Sequence, residues 1–324
     1  MKRIVFNDIN KISIEESATP KLNKGYIRVI HYYSLVSAGT ELLKLQGKMG
    51  SLPSLKVGYS AVGKIVDGVE GTEWNIGDFV FTRGPHVDVY DVSHEYASSN
   101  FVLIDRENAV EGTFLELGKV ALHALHRACI NLGDWVVVVG LGIVGNLVAQ
   151  LASLATGGKV IGIDPIAERR KIIGKCGIIA LNPLDSDFLR VLYGYIPDGP
   201  RILFEASGSE EALNMSFRIS ALRGQIILIA GHYGKRLLDI KTDFQNKELS
   251  LIAARRLEIT KRSMEDWWTV LECKKEFYNL LSIGKINLKS LITNVVRPND
   301  APEIYLKLAE HDPAVFGVIF DWRT

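Results

Sequence analysis

Gly140, Gly142 and Gly145 stand at G-x-G-x-x-G spacing, directly after Val136-Val137-Val138-Val139. That spacing binds phosphate rather than making covalent bonds. Gly140 permits a tight turn, Gly142 lets the backbone approach a pyrophosphate, and Gly145 lets a helix pack closely on the strand. Leu141, Ile143 and Val144 complete the loop and bring backbone N–H groups to the phosphates, helped by the partial positive charge of a helix N-terminus. Asp164 ends the next apolar run, Lys159-Val160-Ile161-Gly162-Ile163, 24 positions after Gly140. An acid about 20 residues on can accept hydrogen bonds from the ribose hydroxyls. A 2′-phosphate would meet a like charge there, which favours NAD over NADP. Arg169 and Arg170 follow closely enough to rescue NADP.

These residues need a parallel sheet to hold them. Four β-branched residues in a row predict a strand buried on both faces. Residues 146–152 predict a helix, as do 167–175 and 210–222, and strands are expected at 159–163, 201–206, 225–231 and 249–254. Strands alternating with helices imply a doubly wound α/β unit. Ala206 and Ser207 follow their own strand and are expected to flank the adenosine half of the dinucleotide.

Upstream, short strands with glycine turns at 26–34, 57–66 and 75–81 suggest a small barrel-like β domain. A helix is expected over 113–132. The C-terminal stretch predicts helices at 264–283 and 301–309 and a closing strand at 315–320. The expected division is 1–118, a β-rich catalytic domain; 119–256, the dinucleotide domain; and 257–324, a return to the first.

The 324 residues carry a formal net charge of +1 and are 47% hydrophobic. Nothing in that balance draws the chain to nucleic acid or an anionic membrane. Cys129, Cys176 and Cys273 are far apart, without a C-x-x-C pair, which points to a reducing compartment. The N-terminus has no long apolar stretch of the signal-peptide kind, and no apolar run is long enough to span a bilayer. A cytoplasmic protein is expected. There is no G-x-S-x-G elbow, H-E-x-x-H or Walker A motif.

The order of β domain, dinucleotide domain and return resembles the medium-chain dehydrogenase/reductase superfamily across essentially the whole chain. Ala38-Gly39-Thr40-Glu41 looks like its Cys-Gly-Thr-Asp motif, and Gly58-Tyr59-Ser60-Ala61-Val62-Gly63 like its Gly-His-Glu-x-x-Gly motif. Residues 124–134 look like its lead-in to the cofactor domain, and His94-Glu95-Tyr96-Ala97 matches its Ala-Glu-Tyr strand. The resemblance implies a Rossmann sheet with a GroES-like catalytic domain, a nicotinamide cofactor and a homodimer joined through 249–254. Residues 37–43, 47–49 and 57–59 resemble more particularly the branch containing bacteriochlorophyllide dehydrogenases, where a Glu follows the Gly-Tyr that Ser60 ends here.

The departures bear on chemistry. In zinc-dependent members the motif cysteine and histidine bind the catalytic metal; here those positions are Ala38 and Tyr59, and Glu116 falls at the second cysteine. The four-cysteine structural zinc lobe is absent as well. Alanine offers no donor and a phenol is a poor zinc ligand, so a metal-free member is expected. Without a Lewis acid, side chains must stabilise the developing alkoxide and move one proton.

By resemblance Thr40 matches a proton-relaying hydroxyl, or caps its turn. Tyr59 hydrogen-bonds the substrate oxygen, or fills the vacated metal site. Lys119 serves as acid–base group with Glu116 as a charge partner, or both lie on a solvated helix face. Glu41 reads as a supporting residue. His232, after the strand ending at Gly231, is expected near the nicotinamide carboxamide. His123 and His126 are three apart on a predicted helix, open to a metal, relay or packing role. Arg255-Arg256 read as cofactor-phosphate ligands or a basic surface pair. The expected activity interconverts a secondary alcohol and its ketone with NAD. An NADPH-dependent quinone or enone reductase and a non-catalytic dinucleotide sensor are the alternatives.

Overall fold

The computed structural model describes residues 1–53, 57–233, 235, 237–254 and 268–323. Arg255-Arg256 and the start of the helix expected at 264–283 therefore lie outside the described residues. Two compact units form. The first comprises Met1–Glu116 with residues 268–282 and 291–323; the second comprises residues 117–254 with Ile283–Ser290.

In the first unit, β1 (Lys2–Asp8) and β2 (Lys11–Glu16) pair as an antiparallel hairpin. The long β3 (Tyr26–Leu35) leads into α1 (Ala38–Leu45), so the Ala38-Gly39-Thr40-Glu41 motif is the first turn of a helix. Next come β4 (Ala61–Asp67), β5 (Phe79–Thr82) and β6 (Val89–Ser93). The expected Ala-Glu-Tyr strand is instead α2 (His94–Asn100), which precedes β7 (Val102–Leu103). Ser93 is extended and its hydroxyl accepts the Tyr96 N–H at 3.3 Å, an N-cap that starts a helix where strand residues were expected. The helix expected at 113–132 is α3 (Leu115–Arg127), beginning in this unit and continuing in the second.

In the second unit, β8 (Val136–Val139), α4 (Ile143–Thr156), β9 (Val160–Ile163), α5 (Ala167–Gly174), β10 (Ile179–Leu181), α6 (Phe188–Tyr195), β11 (Ile202–Glu205), α7 (Glu210–Ile219), β12 (Gln225–Leu228) and β13 (Ser250–Ala253) follow. The sheet is parallel, with order β10-β9-β8-β11-β12-β13. The chain leaves β8 for β9 on one side and later for β11 on the other. This is the switch point where α/β sheets bind ligands. Val139 pairs with Ile163 and with Glu205, so the loops carrying Gly140, Asp164 and Ala206 emerge side by side. Val136 to Val139, Ile202, Leu203 and Phe204 are buried, as strands covered on both faces require.

The chain re-enters the first unit with α8 (Val270–Ser282), then with β14 (Ile292–Val296), α9 (Ala301–Ala309) and β15 (Gly317–Asp321). Its larger sheet runs β14-β15-β3-β4-β5-β7, with β6 also on β3. Ile4, Phe6, Val36, Val57, Tyr305, Val318 and Phe320 form one core of this unit. No helix among the described residues is long and apolar enough to cross a membrane.

His31, on β3, is fully buried. Its Nδ1 donates to the Val87 carbonyl at 2.8 Å and its Nε2 accepts from the Thr82 hydroxyl at 2.9 Å. Burial pushes its pKa down to about 4, against the Val87 hydrogen bond and with help from His86. The unfolded chain then binds a proton that the native state refuses, so His31 stabilises above pH 6.5 and loses that contribution as pH falls toward 4. Urea titrations at pH 7 and 4.5 should show the wild type losing about 2 to 3 kcal/mol more than His31→Gln over that interval. Equal losses would contradict a buried neutral imidazole.

Candidate active site

The dinucleotide loop is built by exclusion. Gly140 has φ +87° and a side chain there would run into the Ser207 backbone; one at Gly145 would run into the Gly140 carbonyl. A Cβ on Gly142, the N-cap of α4, would meet nothing within 4 Å. The loop is therefore closed against the protein on two sides and open at Gly142. The first-turn N–H groups of α4, beginning at Ile143 and Val144, have no partner within the helix and are available to an anion there.

Asp164 is only 2% exposed. Its Oδ2 accepts the Leu141 N–H at 2.8 Å, its Oδ1 accepts the Ile166 N–H at 2.8 Å, and Arg169 lies 3.4 Å away. Arg170 donates to the Asp164 carbonyl at 2.7 Å. The acid expected to meet the ribose thus also ties the glycine loop to the second strand. A carboxylate has about four acceptor positions, so these bonds leave capacity for a hydroxyl donor.

Glu205 ends β11 with no exposure. It accepts the Ser207 N–H at 2.9 Å, the Ser207 hydroxyl and the Gly208 N–H at 3.2 Å. Its other oxygen lies 2.5 Å from His232 Nε2. That contact places a proton on Nε2. His232 Nδ1 is out of solvent and makes no hydrogen bond. A polar atom buried without a partner costs free energy that a bound donor would recover. Sequence reading singled out Ser207 and His232 but not Glu205, the group that holds both. An acid ending an apolar strand was its signal.

The first unit gathers a second polar cluster. The Tyr59 hydroxyl donates to Ser37 Oγ and lies 3.4 Å from Thr40 Oγ1. Burial pushes the Tyr59 pKa up, so the phenol is protonated at neutral pH. Ser37 N–H donates to Glu41 Oε1 at 2.8 Å. The other Glu41 oxygen meets His86 Nε2 at 3.2 Å and accepts the Tyr305 hydroxyl. His86 Nδ1 and Trp322 Nε1 both reach Ser34 Oγ at 2.8 Å. Burial alone would raise the Glu41 pKa, but His86, Tyr305 and the Ser37 N–H outweigh it and the carboxyl is held below its ordinary range. Ser60 is buried and donates to the Thr113 carbonyl at 2.5 Å.

Glu116 is 3% exposed, so it does not lie on a solvated face. Its Oε2 is 3.2 Å from Lys274 Nζ and its Oε1 is 3.3 Å from Arg83 Nε. Lys274 has no exposure and also lies 4.9 Å from the centre of the Phe81 ring. The charge of Glu116 reaches Tyr59, so these groups share one neighbourhood. Sequence reading missed Lys274 and Arg83. Lys274 was detectable: Val270, Cys273, Lys274 and Phe277 are the buried positions of α8, at i, i+3, i+4 and i+7. Lys119, read either as the acid–base group or as part of a solvated helix face, is 4% exposed and so not on a solvated face; it belongs to the second unit. His123 is half-buried and His126 exposed; the described residues contain no group of three or more side chains able to hold a metal.

A family described as zinc-binding dehydrogenase matches residues 144–273. D-guloside 3-dehydrogenase of Escherichia coli K12 is 29% identical over 80% of this chain and 75% of its own length. The 2-desacetyl-2-hydroxyethyl bacteriochlorophyllide A dehydrogenase of Cereibacter sphaeroides is 27% identical over 90% and 89%. The chain belongs to the medium-chain dehydrogenase/reductase superfamily. The alcohol dehydrogenase TADH from Thermus sp. ATN1 has the same fold, with a TM-score of 0.84 at 17% identity over 99% of both chains. Within this superfamily the chain is an alcohol dehydrogenase-type oxidoreductase, with a Rossmann unit and a GroES-like unit.

Glu205→Gln would turn an amide N–H toward donors that now meet a carboxylate. The variant should lose about 2 kcal/mol of stability and bind NADH at least tenfold more weakly by fluorescence titration. Unchanged NADH affinity would show that the Ser207–Gly208 loop does not serve the dinucleotide.

Proposed function

We propose that this oxidoreductase interconverts a secondary alcohol, borne by a sugar, cyclitol or other biosynthetic hydroxyl compound, and its ketone, using NAD and no catalytic zinc. The observation that carries this reading is the Tyr59–Ser37–Thr40 hydroxyl cluster beside the Glu116–Lys274 ion pair. By resemblance, Tyr59 and Glu116 in it stand at positions where zinc-dependent members place metal ligands.

The donor set does not suit zinc. Ala38 carries a methyl group, the Tyr59 phenol keeps its proton, and Glu116 is already held by an ammonium at 3.2 Å and a guanidinium at 3.3 Å. A dication at Glu116 would meet two like charges. Hydroxyl donors replace the Lewis acid in this reading. Tyr59 donates to the alkoxide oxygen as charge develops. Thr40 relays the alcohol proton, and Lys119 is the acid–base group. Glu116, committed to Lys274 and Arg83, sets the local field.

The second unit suits a dinucleotide. The space at Gly142 takes the pyrophosphate, Asp164 takes the adenosine ribose, and Ala206 and Ser207 flank the adenosine half. His232 Nδ1, an unpaired acceptor, suits the amide donors of the nicotinamide. When bound, the dinucleotide supplies the hydride acceptor. Asp164 supports NAD over NADP, with Arg169 beside it. The two relatives compared above are named as dehydrogenases of a D-guloside and of a hydroxyethyl bacteriochlorophyllide. Among the described residues β13 ends the sheet, and that edge suits pairing with a second copy of the chain, as a homodimer.

The test is nicotinamide reduction with a panel of polyols, cyclitols and glycosides, supplied with NAD or NADP. NAD should exceed NADP by at least tenfold in kcat/KM. Tyr59→Phe should lower kcat/KM about 100-fold and Thr40→Ala about tenfold, within the range for positioned donors and proton relays. Wild-type turnover of enones with NADPH, and of no alcohol, would refute the reading.

A further inference from the structure

We propose that the site selects its dinucleotide by the amide N–H of the nicotinamide, and that Glu205 sets this selectivity by fixing which nitrogen of His232 carries the proton. The proposal rests on the dinucleotide reading above and makes Glu205 a positioning residue that acts through His232.

The surroundings of Glu205 consist of donors. Its Oε1 accepts the Ser207 N–H at 2.9 Å, the Ser207 hydroxyl and the Gly208 N–H at 3.2 Å. The Ser207 oxygen in turn accepts the Ser209 N–H at 3.1 Å. Glu205 Oε2 faces His232 Nε2 at 2.5 Å. Four donors around a side chain with no exposure call for a carboxylate that only accepts. His232 therefore turns a protonated Nε2 to Glu205. A neutral imidazole protonated there has its lone pair on Nδ1. That atom is out of solvent and makes no hydrogen bond. The main chain holds the ring in place as well. The Glu205 carbonyl accepts the Ile229 N–H at 2.9 Å and the Ala230 N–H at 3.3 Å, tying the turn that carries His232 to the end of β11.

His232 stands where the second half of a dinucleotide passes. Asp164 follows β9 on one side of β8, whereas β11 and β12 lie on the other. With the pyrophosphate at Gly142 and the adenosine ribose at Asp164, the nicotinamide half extends over the ends of β11 and β12. His232 follows β12, and 11% of its side chain is exposed. A buried acceptor without a donor favours a ligand that brings one. The nicotinamide carboxamide has two N–H donors beside its carbonyl. A methyl ketone on the same ring carbon keeps the carbonyl and has no donor. A carboxylate there has no donor either, and brings a negative charge toward Glu205.

Glu205→Gln reverses the arrangement. Three donors claim the Oε1 position, so the Gln carbonyl takes that place and the amide NH2 faces His232. Nε2 then becomes the acceptor and the proton moves to Nδ1. A donor at Nδ1 meets the carbonyl, which amide and methyl ketone share.

The experiment measures calorimetric binding of NADH, reduced 3-acetylpyridine adenine dinucleotide and reduced nicotinic acid adenine dinucleotide to the wild type, Glu205→Gln and His232→Phe. The wild type should bind NADH at least tenfold more tightly than either analogue. In both variants the ratio of NADH to acetylpyridine analogue should fall to about one. Nitrogen NMR of ring-labelled histidines, with His232 assigned by its loss in His232→Phe, should show the wild-type proton on Nε2 alone and the Glu205→Gln proton on Nδ1. Equal wild-type affinities for NADH and the acetylpyridine analogue overturn the proposal, as does a wild-type proton on Nδ1 or an amide preference that survives in Glu205→Gln. Tight NADH binding and alcohol turnover without amide preference would sink the proposal and leave the dehydrogenase reading intact. Amide-selective, Glu205-dependent binding without turnover of any alcohol would do the reverse. Melting temperatures establish that the variants are folded; if Glu205→Gln is not, the wild-type spectrum and the His232→Phe ratio decide.

Discussion

A lysine with no exposure needs an acid, and the Glu116–Lys274 pair at 3.2 Å is the constraint around which the substrate-side cluster is arranged. Either charge alone would be costly out of water; together, with Arg83 on the second carboxylate oxygen, they are tolerable. The pair fixes where Glu116 points and so sets the field at Tyr59, whose phenol stays protonated in its buried position. It is formed within one unit, although α8 and the start of α3 are far apart in sequence.

Two further carboxylates perform a comparable task in the dinucleotide unit. Asp164 and Glu205 end neighbouring strands on either side of β8, and each spends its oxygens on backbone N–H groups of an adjoining loop. Charge-assisted hydrogen bonds of this kind hold loop geometry more firmly than neutral ones. Rigid loops at a switch point lower the entropic cost of ordering a long cofactor. Glu41 does the same for Ser37, and through it for Tyr59. Three buried acids thus position the atoms that the proposed chemistry requires.

Most of the dinucleotide unit was legible in the sequence because its causes are local. Gly140 turns at φ +87°, Gly145 sits against the Gly140 carbonyl, and β8 is a continuous β-branched run. Thr40 and Tyr59 were placed by motif position, and they do come together. What escaped depends on partners distant in the chain. Nothing near Glu116 in sequence names Lys274 or Arg83, and nothing near Glu205 names His232. The helix at His94 was misread because the strand was carried over from a family motif, whereas the capping hydroxyl of Ser93 starts a helix there. The amphipathic pattern of α8 held a readable signal, a lysine on the apolar face, that a search for catalytic motifs passes over.

In the proposed chemistry, hydroxyl donors and an ion pair do here what a metal does in zinc-dependent relatives. Its most direct test is to measure zinc by mass spectrometry in the same preparation used for turnover, before and after dialysis against a chelator. The expected result is far less than one zinc per chain and a kcat/KM that dialysis leaves unaltered. Stoichiometric zinc, with activity lost on dialysis and restored by the metal, would contradict it.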